Sequence, residues 1–433
     1  SGGEAFMKIK TGVMVFLLTA AAGFAQTEEE QFPPVPPLAD VYQITTDLQI
    51  AKVAKIVAQF RDPGDAVSAL FTNTAEFGGG GPLRGPLVVT PMPPVPKKTY
   101  VPKNAPDTLQ MYIDKANPGD ELVVAPGTYD TGGRRLNQEG PATRLVIDKP
   151  LTLRSEAGAE LTIIAGGPST RCIYMTNGVR VIGFTISGGE TMKEGPEGNK
   201  FTALSGGGVW SEPAGILEDC TVVSNTALWY GGGLYGGNAI RCVFTGNTAR
   251  RSGGGASKAR LGNCLVQYNR AAHFGGGTHH CELRNCTVTH NRAEVMGAGA
   301  AFGMAQNTVL HHNQALLSGH NFLDVKMSYC CSMPLADGPG NIGAEPGFKN
   351  TDQGVFLPTY DSALIDAGTN NFMDVDLAGN PRILDGNNNG HARIDIGAYE
   401  YIHPKADSDH NGIPDRKEVP VKDASLRPEF PAE

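Results

Sequence analysis

Aromatic residues are scarce in this 433-residue chain, at 7% with two tryptophans. No apolar run beyond the first 26 residues approaches the length a bilayer requires, so no transmembrane helix is expected. None of the eight cysteines stands in a Cys-x-x-Cys pair, which removes the commonest zinc and redox spacings. Positive charge is not in excess: the formal net charge of −8 excludes the chain as a whole from nucleic-acid binding. Glycine, in contrast, is plentiful. With 56 Gly, 30 Pro and 40% hydrophobic residues, the chain has material for a core but favours many tight turns over a helical bundle.

The N-terminus reads as a targeting segment. Lys8 and Lys10 precede a short apolar run from Val13 to Ala22, and Gly23 and Ala25 are small residues before a cut at Gln26. That pattern predicts a secretory signal peptide and a secreted or cell-surface protein. No cysteine follows the cut, so a lipid anchor is not expected. Residues 26–99 read as a Pro/Gly-rich leader holding one short helix, with Val41, Ile44, Leu48, Val53, Ile56 and Val57 at helical spacing. A β domain is expected over residues 100–400 and a tail over 401–433. The β domain opens with a short amphipathic helix, a Pro-Gly turn and a strand within residues 107–129.

Four columns recur with a 22-residue step. Cys220, Cys242, Cys264 and Cys286 form the first, which passes through Thr308 to Cys330. Asn225, Asn247, Asn269, Asn291 and Asn313 form the second. Ala227 through Ala315 and Gly231 through Gly319 keep the same register. A period of this length, with short strands and no helical spacing, predicts one coil of a parallel β-helix. Residues one period apart then stack at the strand spacing of about 4.8 Å. The Cys column and the column Val222, Phe244, Val266, Val288, Leu310 are two residues apart, so both face inward.

The repeats "CVFTGN" (Cys242–Asn247) and "GGGA" (Gly253–Ala256) are similar to those of polymorphic outer-membrane proteins. "DSALIDAGTN" (Asp361–Asn370), "DLAGNPRILDGNNNGHARIDIGAYE" (Asp376–Glu400) and "GDELVVAPGTY" (Gly119–Tyr129) resemble the C-terminal cap and entry coil of exported bacterial choice-of-anchor Q proteins. The resemblance, to the pectate-lyase-like superfamily in the broad sense, covers roughly residues 100–400. It implies an all-β fold, a right-handed single-stranded parallel β-helix of about 22 residues per coil. It implies no particular activity, because such folds carry lyases, hydrolases, adhesins and passive surface proteins.

Stacked cysteines hold their Cβ atoms near the strand spacing, wider than the roughly 3.8 Å a disulfide prefers. The Cys column therefore reads as buried free thiols, and no pairing is assigned to Cys172, Cys281 or Cys331. The Asn column reads as a structural amide ladder. Charge carries the functional signal. Residues 221–320 hold eight Lys and Arg, two acids and seven of the ten histidines. Trp229, Tyr230, Arg251, Arg270, His273 and Arg292 are the candidate ligand-binding residues, because basic groups beside rings suit an anionic or sugar polymer. Glu282 and Glu294 fall in different columns, which disfavours a paired-carboxylate glycosidase. A lyase acting on a uronate needs a base and a cation. Lys258, Tyr268, Arg270, His290 and Arg292 are the candidates for those roles.

The tail carries a metal motif. In "DSDHNGIPDRKE", Asp407, Asp409, Asn411, the Ile413 carbonyl, Asp415 and Glu418 fall at positions 1, 3, 5, 7, 9 and 12, with Gly412 at 6. This is the oxygen-ligand spacing of a Ca²⁺ loop. It also resembles thrombospondin type 3 and dockerin loops, although Pro404 and Pro414 depart from an EF-hand. "DGNNNG" (Asp385–Gly390) reads as an Asn/Gly turn, with a second oxygen-rich loop as the alternative. The reading is a monomeric, exported β-helix that binds polysaccharide or another anionic envelope polymer without catalysis and holds a structural Ca²⁺. A polysaccharide lyase is one alternative. An adhesin or structural spacer is the other.

Overall fold

A computed structural model describes residues 96–403, apart from 104–107, 137–139, 197, 350, 352–353 and 372. The described residues fall within one compact unit, Gly79–Ala432. The signal peptide, the leader helix and the Asp407–Glu418 loop lie outside the described residues. Among the described residues no helix is long and apolar enough to cross a membrane.

The fold is a parallel β-solenoid, with about 22 residues per turn through its central coils. Val222 pairs in parallel register with Phe244, then Val266, Val288 and Leu310. Four ladders run along the stack. In the coil that starts at Val209, the rungs are Val209–Ser211, Ile216–Glu218, Thr221–Val223 and Thr226–Ala227. The ladders are numbered first to fourth in that order. Several earlier coils are longer: Ile186 pairs with Val222, 36 residues on. That insertion carries a five-residue helix, Lys200–Leu204, which the repeat did not foretell. The opening segment matches expectation. Helix Leu109–Lys115 buries Leu109 and Ile113, and strand Glu121–Val124 follows the turn.

Both inward columns are buried. Val222, Phe244, Val266, Val288 and Leu310 have no exposure, and the Cys column lies beside them in one core cluster. All eight cysteines are free and buried. Burial pushes the thiols of Cys172, Cys281, Cys330 and Cys331 up to about 12, so they remain protonated. Thr308 takes a place in the Cys column by making the bonds that Cys264 makes to Cys242 N and the Gly262 carbonyl. Its hydroxyl accepts the Cys286 N–H at 3.3 Å and donates to the Gln306 carbonyl at 2.9 Å.

The glycines have two tasks. Gly253 holds a left-handed backbone, φ 72°, at the turn between the fourth and first ladders. At Gly254 the constraint is space, because a Cβ would lie 2.3 Å from the Gly276 carbonyl oxygen.

The Asn column is fully bonded. Asn269 donates from Nδ2 to the Phe244 carbonyl (3.0 Å), the Gln267 carbonyl (2.9 Å) and Asn291 Oδ1 (3.0 Å). Its Oδ1 accepts the backbone N–H and the Nδ2 of Asn247, both at 2.9 Å. The ladder ends on Asn321, whose Oδ1 accepts from Asn313 at 2.9 and 3.1 Å. Asn321 belongs to the Gly233, Gly255, Gly277, Gly299 column, so the terminal rung comes from a different position of the repeat.

Residues 361–400, likened above to a cap, form a strap along the outside of several coils. A second Asn column anchors it: Asn263 donates to the Val375 carbonyl (2.7 Å), Asn307 to the Thr369 carbonyl (2.7 Å), and Asn285 Oδ1 accepts from Asn371 (2.9 Å). The end of the coil stack is met instead by residues 339–342, where Cys330 N–H reaches Asn341 Oδ1 at 2.9 Å. Inside the strap Asp395 accepts the backbone N–H of Asp366 (2.7 Å) and of Tyr401 (2.6 Å). Asp385 accepts from Asn389 N (2.9 Å) and Gly390 N (2.8 Å), and Asn387 Oδ1 accepts from Asn389 N two residues on (3.1 Å), the contact of an Asx-type turn within "DGNNNG".

Two predictions follow from these networks. Asn269→Ala removes both acceptor and donor from a position 1% exposed, taking from Asn247 the acceptor of its backbone N–H and of its Nδ2. The expected loss in urea unfolding is at least about 2 kcal/mol; a loss below roughly 0.5 kcal/mol would mean the ladder contributes no stability. Burial, and then the charge of Asp366, raises Asp395 to about 7. Its stabilising contribution is present in full below the free carboxyl range, near pH 4, and is lost as pH rises through about 7. The gain in Tm from about pH 8 to about pH 5 should shrink in Asp395→Asn. An equal gain in parent and variant means Asp395 stays ionised.

Candidate functional site

The chain turns sharply between the third and fourth ladders, at the residue before each ladder Asn. Ser224, Gly246, Tyr268, His290 and His312 hold this corner, all left-handed with φ between 54° and 64°. The following Asn points inward, so the corner side chains point out. Stacking of the coils then stacks the rings: Tyr268 and His290 are 5.2 Å apart between centroids, His290 and His312 5.5 Å. Tyr268 is 48% exposed. His290 Nδ1 bonds the Thr289 hydroxyl at 2.8 Å. Burial, and then the neighbouring His312, lowers His290 below the ordinary imidazole value.

Glu345, Gly347, Phe348, Thr351 and Phe356 lie over the His290–His312 end of this corner. Phe356 packs on His290 at 5.4 Å, and a cleft of about 320 Å³ opens between His290, His312, Glu345, Gly347, Phe348 and Thr351. Glu345 Oε2 lies 3.2 Å from His312 Nε2. His311, Glu345 and His312 are the cluster among the described residues with donor atoms placed to hold a metal ion. Sequence reasoning missed this cluster. "HH" before Asn313 was its one local signal.

The wall beside this corner is the fourth ladder and the turn after it. Arg270 pairs with Arg292 across adjacent rungs, and both are exposed. In the next column, Arg251 N–H reaches the Trp229 carbonyl (3.1 Å) and His273 N–H the Arg251 carbonyl (2.8 Å). The Arg251 guanidinium lies 4.4 Å over the Trp229 ring. Trp229, Arg251, His273, Arg270 and Arg292 are therefore brought to one wall, with Tyr268 and His290 on its edge.

Three expectations are corrected. Tyr230 is no open platform: it is buried, with its ring stacked on His279 at 5.7 Å and on Phe201 at 5.7 Å. It serves the wall from beneath, its hydroxyl accepting from Arg251 at 3.3 Å and its ring lying 5.9 Å from the same guanidinium. Lys258 does not join Tyr268 and His290. It holds the corner between the first and second ladders, on the far side of the coil, with φ 51°. Its charge acts instead on His280, which burial and then Lys258 lower to about 4. The basic surplus is also smaller than the count over residues 221–320 implies. Arg241 pairs with Glu218 (2.6 Å) and Asp219 (2.7 Å), Arg284 with Glu282 (2.7 Å) and Arg270 with Glu294 (2.5 Å). Arg250, Arg251 and Arg292 have no ion-pair partner among the described residues. Glu282, on Arg260 and Arg284, and Glu294, on Arg270, belong to different ladders and offer no carboxylate pair for hydrolysis.

No protein-family model matches the chain, and no curated protein matches it. Solved structures with some likeness include a pectate lyase, Pel9A, at 13% identity and TM-score 0.41, covering 71% of this chain and 96% of that one. A pectin methylesterase in complex with a hexasaccharide has 11% identity and TM-score 0.30, covering 54% and 78%. An alginate lyase from Paenibacillus sp. str. FPU-7 has 14% identity and TM-score 0.23, covering 53% and 99%. Likenesses at this level transfer no residue role to the present chain.

Proposed function

We propose that this solenoid binds an anionic polysaccharide, or a related envelope polymer, along its fourth-ladder wall. The observation that carries the reading is Arg251 laid over Trp229, one coil above exposed His273, with Arg270 and Arg292 in the adjoining column. A guanidinium spread on an indole face is held in place before a ligand arrives, so less freedom is lost on binding. Cationic groups repeated at the strand spacing of about 4.8 Å suit a ligand that repeats its own charge.

A lyase is the second reading. The observation favouring it is His290, held by Thr289, two residues before Arg292 in the sequence and with its ring 5.2 Å from that of Tyr268. A base and a cation on one edge are the minimum for removing the proton next to a uronate carboxylate.

One set of measurements separates these readings. The protein is passed over immobilised polygalacturonate, alginate and a sulfated glycan, with neutral dextran as control. Retention on the acidic polymers is expected, falling with salt and at least about tenfold weaker in the Arg251→Ala/Arg292→Ala double variant. Equal retention on dextran, or an unchanged double variant, sinks the wall reading. Ultraviolet absorbance of unsaturated uronate products reports the lyase, and its absence on all three acidic polymers removes lyase activity on them.

The tail loop Asp407–Glu418 is proposed to take one structural Ca²⁺. Asp407→Ala should lose a calcium event present in the parent titration. Superimposable titrations would refute the loop assignment.

A further inference from the structure

The last rung of the corner column differs from those above it. Ser224, Gly246, Tyr268 and His290 follow Val223, Thr245, Gln267 and Thr289, whereas the fifth coil has histidine at both positions, His311 and His312. Neighbouring side chains on an extended strand point to opposite faces. Strand Val309–His311 ends at His311, and the left-handed backbone of His312, φ 57°, breaks that alternation. The two imidazoles meet edge to face with centroids 4.4 Å apart. The segment after the solenoid brings in Glu345, whose Oε2 lies 3.2 Å from His312 Nε2 and 3.8 Å from His311 Nδ1. The three donor atoms all lie within 4.8 Å of one another.

A second observation points to a ligand. His311 is 3% exposed, and neither ring nitrogen has a hydrogen-bond partner among the described residues. A buried polar ring left in that state is costly, and an ion coordinated at Nδ1 would satisfy that nitrogen.

We propose that His311, His312 and Glu345 bind one divalent transition metal of the zinc class. Two imidazole nitrogens and one carboxylate oxygen suit Zn²⁺, whereas Ca²⁺ and Mg²⁺ favour all-oxygen sets. Bonds of about 2.0–2.2 Å in tetrahedral array set neighbouring donors roughly 3.4 Å apart, so the observed separations need only small side-chain shifts. Three protein ligands leave the fourth position open toward the cleft that His290, Phe348 and Thr351 also line. Water, or an oxygen of an anionic ligand, would occupy it. The site shares no donor with the Asp407–Glu418 loop.

The test uses the full chain, stripped with chelator. Zn²⁺ is titrated by calorimetry and Co²⁺ by visible absorption. One saturable Zn²⁺ equivalent is expected, with Co²⁺ bands of a four- or five-coordinate ion. His312→Ala and Glu345→Gln alter exposed positions. Each should weaken Zn²⁺ binding at least about tenfold without moving the metal-free Tm. Absence of a saturable Zn²⁺ site, or isotherms alike in parent and both variants, overturns the proposal. So does Ca²⁺ displacing Zn²⁺ at equal concentration. Polymer retention is not read here, so this result stands or falls apart from the wall.

Discussion

A carboxamide side chain at a solenoid corner must satisfy two donor hydrogens and one acceptor oxygen out of reach of water. The stacked coil supplies all three. Asn247, Asn269 and Asn291 each donate to a backbone carbonyl of the coil above and to the Asn below, and accept from the Asn above. The pattern closes only when coils are in strict register, because a one-residue slip turns the amide out and an apolar residue in. The same requirement acts on the residue before it. For the Asn to point inward at a sharp turn, the preceding backbone adopts the left-handed region. In non-glycine residues that conformation costs roughly 1–2 kcal/mol each. The ladder compensates for it, and the corner side chain is aimed outward as a consequence. Tyr268, His290 and His312 thus owe their alignment to an interaction they do not join.

Charge on the wall follows a different logic. Parallel stacking places like residues over like, and Arg270 over Arg292 is such a contact. Repulsion is relieved by acids: on the wall Glu294 binds Arg270, and on the second ladder Glu282, one rung from Arg260 in the same column, sits between Arg260 and Arg284. Formal charge summed along the sequence therefore overstates the field a ligand meets. What reaches solvent as uncompensated cation is confined to a few guanidiniums, among them Arg251 and Arg292. Arg251 is further fixed by Trp229 and the Tyr230 hydroxyl.

The repeated part of this architecture was legible, because a period of 22 translates directly into residues that touch. The Cys and Asn columns, the inward apolar column and the turn glycines all stand where that translation puts them. A further column, Asn263, Asn285 and Asn307, keeps the same step and was readable by the same rule, though its partners in the strap were not. Lys258 shows where linear reading misleads. Ten residues before Tyr268 is nearly half a coil, which carries it to the opposite side. Tyr230 shows the limit for rings: its burial depends on Phe201, from an insertion outside the repeat. Glu345 likewise lies beyond the last coil, where no period relates it to the histidines it meets.

Inward positions are bound to repeat, since each must match its copy one strand spacing away. Outward positions carry no such constraint. The corner column uses that freedom, running from Ser224 and Gly246 through Tyr268 to His290 and His312. Its chemistry changes along the axis from small, to phenolic, to imidazole, while its geometry stays constant. A polymer lying along the axis would meet these groups in order, with guanidiniums on one flank and the Glu345 cleft at one end. Direction is thereby built into a scaffold that is otherwise nearly translational. A ligand with two distinguishable ends would find one orientation that places its anionic groups on Arg270 and Arg292 while presenting an oxygen to the histidines. A uniform wall of basic residues has no such preference.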